Sequence, residues 1–303
     1  MKRSRIVGTG SFVPPRVVLN EEVGSPLGLN SDQIMALTGI RSRHWADPGH
    51  ASSDLAVEAG RRACEAAGIS PGALHAILVS TTSPDSAFPS TACHVQRALG
   101  ADSVMAFDLS ASCSGFLYGL SMADAMIRSG QIRSCLVVAS EVKSRALDPA
   151  DRETAVLFGD GAGAVVLVQE ESIRPEATGI LGVRLYAEGA GHGLITIPAG
   201  GSRKPSGTET VRGKEHLLRM RGSAVFRTAI RHLEQAILEL LKEFGLTPVD
   251  VSKVIAHQAN ARILEQLRRR LGLPREAIYS VIERYGNTSS ASLPIALDCA
   301  VRE

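Results

Sequence analysis

Two patterns alternate along the chain: short runs rich in apolar, often β-branched residues, and longer segments whose apolar positions recur at helical spacing. Residues 4–8 predict a strand ending in Gly8-Thr9-Gly10. Residues 53–68 predict a helix, with Asp54 near its start and Gly68 past its end. A buried strand at 76–81, a helix at 90–99, a strand at 104–109 and an apolar helix at 114–129 closed by Gly130 follow. Strands at 135–140 and 164–168 complete this half, joined by a loop carrying 148–152 and 159–163. The second half repeats the plan with strand 179–187, a long amphipathic helix at 223–244 ending at Gly245, strand 253–256, helix 261–271, strand 277–281 and helix 289–301.

Each half therefore begins β-α-β-α-β-α, the pattern of a mostly parallel sheet covered by helices. The prediction is an internally duplicated α/β fold with halves at 1–172 and 173–303. In the first half the third helix is followed by two further strands, whereas the sequence ends at Glu303 just as the corresponding helix ends. Two strands with their turns need roughly 20–25 residues. Internal symmetry thus predicts a second half short of its last two strands.

A chain of 303 residues is long enough for two domains and a sizeable core. Its 33 Lys and Arg against 31 Asp and Glu leave +2, which argues against a dedicated nucleic-acid binder. Aromatics at 4% argue against stacking platforms for single strands. The five cysteines, Cys64, Cys93, Cys113, Cys135 and Cys299, form no C-x-x-C and have no His at metal-ligand spacing. Reduced thiols and no metal are expected. The run after the basic N-terminus is broken by Gly8, Gly10, Pro14 and Pro15, and no apolar run approaches eighteen residues. Neither a secretory signal nor a membrane span is predicted, so the expectation is a cytoplasmic enzyme.

Chemistry concentrates at three element ends. Cys113 lies between a predicted strand and an apolar helix, so its sulfur faces the positive end of a helix dipole, which favours the thiolate. The small neighbours Ser110, Ala111, Ser112, Ser114 and Gly115 leave room for a substrate. The other cysteines fall inside element patterns and read as structural. His257 closes the strand at 253–256, where parallel sheets place reactive groups, and Asn287 sits in a tight turn feeding the last helix. Alone, His257 is equally a polar strand cap and Asn287 a turn or N-cap residue. Together the three suit nucleophilic catalysis with two hydrogen-bond donors. Gly159-Asp160-Gly161-Ala162-Gly163 runs into a strand, not a helix, so it fails as a phosphate loop. It and Gly8-Thr9-Gly10 read as tight turns under closely packed backbone.

The segment around Cys113, Phe158 to Ala164, His257-Gln258-Ala259-Asn260 and Gly286 to Ser292 together resemble β-ketoacyl-[acyl-carrier-protein] synthase III, and the resemblance runs from Gly8 to Arg302. It implies a thiolase-like fold of two β-α-β-α-β-α-β-β halves, layered α-β-α-β-α, in a homodimer. It also implies an acyl-CoA primer held as a thioester on Cys113 and condensed with malonyl on an acyl carrier protein, without metal or other cofactor. His257 and Asn287 would donate to the thioester oxygen as the enolate forms. Phe88 matches a residue that reaches into the partner's acyl pocket, Phe158 one that lines it, and Arg152 one that packs on the CoA adenine. Arg227, Arg262, Arg269 and Arg270 match positions that dock the acidic carrier protein; a solvated basic face is the alternative.

Three departures from that family follow. The segment Ser31 to Leu37 has Gln33 or Ile34 where the family has a Trp that stacks on adenine, and Leu37 where it has an Arg. These two losses should weaken CoA binding by roughly 1–3 kcal/mol; Trp45 is a candidate substitute. The third departure is the absent pair of final strands, whose Gly-rich turn completes the family's oxyanion hole; an incomplete version of a longer protein is expected. The leading reading is initiation of fatty acid synthesis. Priming of another pathway with an unusual acyl group, a carrier-independent enzyme and a non-catalytic acyl-binding scaffold are the alternatives.

Overall fold

The computed structural model describes residues 2–171 and 178–303. The expected boundary between halves, at 172/173, lies outside the described residues. The strands are β1 (Lys2–Phe12), β2 (Val17–Leu19), β3 (Ser42–His44), β4 (Ala76–Ser80), β5 (Met105–Leu109), β6 (Ser134–Glu141), β7 (Gly161–Glu171), β8 (Ile195–Thr196) and β9 (Arg219–Met220). The helices are α1 (Asn20–Gly24), α2 (Ser31–Thr38), α3 (Ser52–Ala67), α4 (Thr91–Ala98), α5 (Gly115–Ser129), α6 (Thr208–Arg212), α7 (Gly222–Glu243), α8 (Ala261–Arg270), α9 (Ile282–Tyr285) and α10 (Ser292–Arg302).

One five-stranded sheet, ordered β1-β7-β6-β4-β5, organises the first half. The β4, β5 and β6 strands are parallel, and β7 is antiparallel to both β6 and β1. All five residues of β4 are buried because helices cover both faces. Alternation then sorts side chains by face. Ile77, Val79, Leu136 and Val138 pack with α3 and α4, while Ala76, Leu78, Cys135 and Val137 pack with α5 and α10.

The predicted end of the first strand is corrected: β1 runs straight through Gly8 and Gly10 to Phe12. A Cβ on Gly8 would lie 2.3 Å from the Ala63 carbonyl oxygen, and one on Gly10 2.4 Å from that of Ala59. The glycines let α3 rest directly on the strand, so close packing is present without a turn. In Gly159 to Gly163, Asp160 takes the structural role. Its carboxylate accepts from Ala46 N–H (2.8 Å), Ser144 N–H (2.9 Å) and Ser144 Oγ (2.5 Å). Burial outweighs these bonds and pushes its carboxyl above the usual range.

The second half departs from the predicted ladder. Residues 179–187, 253–256 and 277–281 form no strand, and a single parallel bridge, Val254 to Ile278, joins the last two. In the first half β7 and β6 lie between β1 and β4 and ladder to both. A backbone ladder needs a partner, and among the described residues 179–187 has none. The layering nevertheless survives as packing: Val254 and Ala256 face α7 and α8, whereas Ile255 turns to the α5/α10 side.

Two buried aspartates tie the central helices to β1. Asp124 of α5 accepts from Ser4 Oγ (2.6 Å) and pairs with Arg128. Asp298 of α10 accepts from Thr9 Oγ1 (2.7 Å) and Ser11 Oγ (2.6 Å) and pairs with Arg302. The Asp-x-x-x-Arg repeat is a trace of the duplication that the apolar pattern alone did not expose.

Candidate active site

Strand β5 ends at Leu109, and a sharp elbow reverses the chain into α5. Ser112 holds φ at +47°, a left-handed backbone that a non-glycine residue adopts only when its surroundings impose it. The constraint is close at hand: a Cβ on Gly115 would lie 1.9 Å from Ser80 Oγ, so α5 begins hard against the end of β4. Cys113 is thereby presented at the helix N-terminus, partly exposed.

His257 follows Ala256, the last residue of the bridged segment, and side chains rather than a ladder fix it. Its Nδ1 lies 2.6 Å from Ser292 Oγ at the start of α10, which leaves Nε2 for Cys113. Gln258, 1% exposed, holds the turn: its amide donates to Ala256 and Tyr279 carbonyls and accepts from Ser280 Oγ and Val281 N–H. Its own N–H donates to Ser292 Oγ (3.2 Å).

Asn287 is anchored from both sides. Its N–H donates to Leu157 O (2.9 Å), its carbonyl accepts from Gly159 N–H (3.1 Å), and its Oδ1 accepts from Ser289 N–H (2.9 Å). The side-chain Nδ2 has no protein partner among the described residues and remains a free donor. Ser289 then reaches Cys113, with Oγ 3.8 Å from Sγ. Thus the thiol, imidazole and carboxamide singled out in the sequence meet where the two halves join.

The electrostatics favour a reactive sulfur. Burial pushes the Cys113 thiol up, and the Glu141 carboxylate adds to that. The charge and hydrogen bond of His257, with Ser289, outweigh both and hold it below its usual range. Burial likewise pushes His257 down, but the sulfur's charge and hydrogen bond raise it above its usual range. The shifts are opposite and mutual, as expected of a thiolate–imidazolium pair. By contrast, Cys135 and Cys64 are pushed up by burial to about 12 and about 11.

The remaining predicted residues are spread around this centre. Phe158 is buried with Leu147 and Leu218, and it bridges Asn287 through the backbone. Phe88 is 85% exposed on the loop after β4. Arg152 donates to Leu27 O (2.5 Å) beside α1. On α8, Arg262 lies over the Phe226 ring at 5.6 Å, whereas Arg269 pairs with Glu265 and Arg270 with Glu234. Arg227 has no ionic partner among the described residues. On α2, Gln33 is committed to a capping box with Asn30 and Ile34 is fully buried, so neither offers a stacking face. Trp45 is engaged too: its Nε1–H donates to Phe158 O (3.2 Å) and Arg16 covers its ring at 5.4 Å. Ser289, Ser292 and Gln258 are site residues that sequence reasoning missed. The signal was their position inside the two motifs that supplied Asn287 and His257. Among the described residues no group of three His, Cys, Asp or Glu could hold a metal, and no helix is long and apolar enough to cross a membrane.

Layered α/β halves that meet over an elbow cysteine place the molecule among the thiolase-like condensing enzymes, and comparison narrows the class. The family model described as 3-oxoacyl-[acyl-carrier-protein] synthase III matches residues 107–189, and that of its C-terminal part matches 241–303. The β-ketoacyl-[acyl-carrier-protein] synthase III of Erythrobacter litoralis is 47% identical over 303 residues, 100% of this chain and 92% of that one. The crystal structure of 3-oxoacyl-[acyl-carrier-protein] synthase III from Aquifex aeolicus is 39% identical with a TM-score of 0.88, over 99% of this chain and 91% of its own. A priming β-ketosynthase from a polyketide biosynthetic pathway is 37% identical, also at 0.88, over 99% and 88%. The chain belongs to the 3-oxoacyl-[acyl-carrier-protein] synthase III family.

Proposed function

We propose that this protein is a β-ketoacyl-[acyl-carrier-protein] synthase III that starts fatty acid synthesis by condensing an acyl-CoA primer with malonyl on an acyl carrier protein. The observation that carries the reading is the Cys113–His257 pair, whose opposite shifts prepare a thiolate in a partly exposed elbow. The Cys113 thiolate attacks the primer thioester, and His257 gives its proton to the departing CoA thiolate. That proton leaves from Nε2, which faces the sulfur; Nδ1–H goes on donating to Ser292 Oγ, and Nε2 takes a proton back from solvent before the malonyl step. Malonyl thioester then loses CO₂, and the electron pair left behind becomes an enolate whose oxygen accepts from His257 Nε2–H and Asn287 Nδ2–H. Two such preorganised donors replace a strong base. The enolate carbon attacks the acyl-Cys113 carbonyl, sulfur leaves as thiolate, and the chain is two carbons longer.

Supporting parts follow the same reading. Arg227 and Arg262, free of carboxylate partners, with Arg269 and Arg270 beside them, form a basic face for the acidic carrier protein. Arg152 lies beside the CoA entrance. Exposed Phe88 and the open edge of β5 suit a second copy of this chain, with each Phe88 reaching its partner's acyl pocket beside Phe158. Free cysteines suit a reducing cytoplasm. A second reading, priming of another pathway with a different acyl group, is favoured by one observation: α2 presents no aromatic face to adenine.

Intact mass after mixing with a panel of acyl-CoAs tests both readings. An acyl adduct absent in Cys113→Ala and discharged by malonyl carrier protein is expected, and the acyl group that loads fastest names the primer. No adduct from any CoA ester, with loading from acyl carrier protein instead, would overturn CoA priming. No adduct from either donor would leave a scaffold.

A further inference from the structure

Beside the nucleophile lies a buried charged cluster that the reaction above does not use. Glu141 closes β6 and is fully buried; Lys143, two residues on, is 6% exposed. Their Oε2 and Nζ are 3.0 Å apart. Glu141 also accepts from Thr82 N–H (3.2 Å), Thr82 Oγ1 (3.0 Å), Ser83 Oγ (2.6 Å) and Ser290 Oγ (2.8 Å). Lys143 donates in addition to Thr82 Oγ1.

The topology explains why this cluster sits against Cys113. Ser80 on β4 lies opposite Leu109 on β5 and Ala139 on β6. Thr82, the cysteine elbow and Glu141 therefore emerge side by side past the same strand ends, where parallel sheets hold ligands. Ser290 is the neighbour of Ser289, which touches Cys113 Sγ and holds Asn287 Oδ1. One carboxylate thus joins the ends of β4 and β6 to the strap 287–292. A buried ion pair seldom adds net stability over apolar residues of the same volume, so stability alone does not account for it.

We propose that Glu141 is a positioning residue for the condensation and Lys143 its charge balance: Glu141 fastens the strap carrying Asn287, Ser289 and Ser292, and Lys143 keeps that carboxylate from suppressing the Cys113 thiolate. The proposal rests on Cys113 being the nucleophile. Among the described residues the charged groups facing Cys113 are His257, from the turn after 253–256, and Glu141, from β6; Lys143 acts through Glu141. Of these, the Glu141 charge is the one that opposes the thiolate, so losing it and losing its counter-charge have opposite signs.

The test is the pH dependence of Cys113 alkylation by iodoacetamide, read by mass spectrometry of the peptide containing it, with Cys113→Ala as blank. Lys143→Met should move the profile up by roughly one pH unit, about a tenfold loss of thiolate below the midpoint. Lys143→Gln, which still donates to Glu141, should shift it likewise and serves if the methionine variant does not fold. Glu141→Gln should move the profile down while kcat for condensation falls at least about tenfold, because the strap loses its charged anchor. The double variant, Glu141→Gln with Lys143→Met, should return the profile to its starting point without restoring kcat. Profiles unmoved by any of these, around a wild-type midpoint below the ordinary thiol range, would overturn the proposal and leave Cys113 as nucleophile. A wild-type midpoint in the ordinary range would overturn the nucleophile reading itself.

Discussion

Cys113 and His257 both stand at the end of an extended segment followed by a helix, yet they are held by different means. Beneath Cys113, β5 is laddered to β4, β4 to β6 and β6 to β7, with helices on both faces. Beneath His257, residues 253–256 have one bridge to Ile278, and of the 22 residues of α7 Ile230 alone is buried. The Cys113 thiol is positioned by a sheet. The imidazole is positioned by Gln258 and Ser292. Packing of α7 and α8 on alternate residues preserves the layer, but register in the second half depends on a few side-chain bonds.

The sharpest way to break that comparison is to truncate an apolar side chain to alanine in each half. Leu136→Ala empties a fully buried site in β6 and should cost roughly 2–5 kcal/mol in urea unfolding. Val254→Ala, in a partly exposed segment, should cost no more than about 1 kcal/mol. Hydrogen exchange gives the same contrast without mutation. Amides of Val137 and Val138 should exchange at close to the global unfolding rate. Those of Val254 and Tyr279, bonded only across the bridge, should exchange at least about a hundredfold faster. Equal protection in both regions would show that the second half is as firmly set as the first.

Gln258 probes the comparison where it touches chemistry. Gln258→Leu keeps the volume but strands Val281 N–H and the Ala256 and Tyr279 carbonyls, a local cost of about 1–3 kcal/mol. Condensation kcat should fall at least tenfold, while the unfolding midpoint of the first-half sheet stays in place. Loss of both together would mean that the turn and the sheet unfold as one unit.

These contrasts also explain what could be read in the sequence. Elements of the first half were legible because their signals are local: the continuously apolar β4, helix α3 closed by Gly68, helix α5 closed by Gly130. The period-2 patterns at 179–187, 253–256 and 277–281 are equally local, but a strand also needs neighbours on its edges, and no pattern within a segment reports those. Cys113, His257 and Asn287 stood out because each sits in a motif at an element end. Glu141 and Lys143 did not, because their meaning arises from contacts with Thr82, 59 positions away in the chain, and with Ser290, 149 away. Trp45 was offered as a stacking face; its Nε1–H donates to Phe158 O and Arg16 covers its ring, contacts that the sequence around Trp45 does not announce.

The smallest of these effects is the most diagnostic of how the imidazole is set. Ser292 Oγ, 2.6 Å from Nδ1, accepts from Nδ1–H of the imidazolium and so favours the charged ring. Ser292→Ala leaves a ring nitrogen without its partner, an effect of about 0.5–1.5 kcal/mol, or up to about tenfold in kcat. The sign on titration follows. His257 is raised by its pairing with Cys113, so its imidazolium stabilises the fold below the unfolded-state value, and that contribution is lost as pH rises through the raised one. Weakening the imidazolium lowers the His257 value, and through the pair it raises that of Cys113. The alkylation profile of Ser292→Ala should therefore move up, and the raised thermal stability that the imidazolium confers should fade at a lower pH than in the parent. A profile that stays put while kcat falls would show that Ser292 orients the ring without tuning its charge, so that the second half supplies geometry and the helix-capped elbow alone supplies the thiolate.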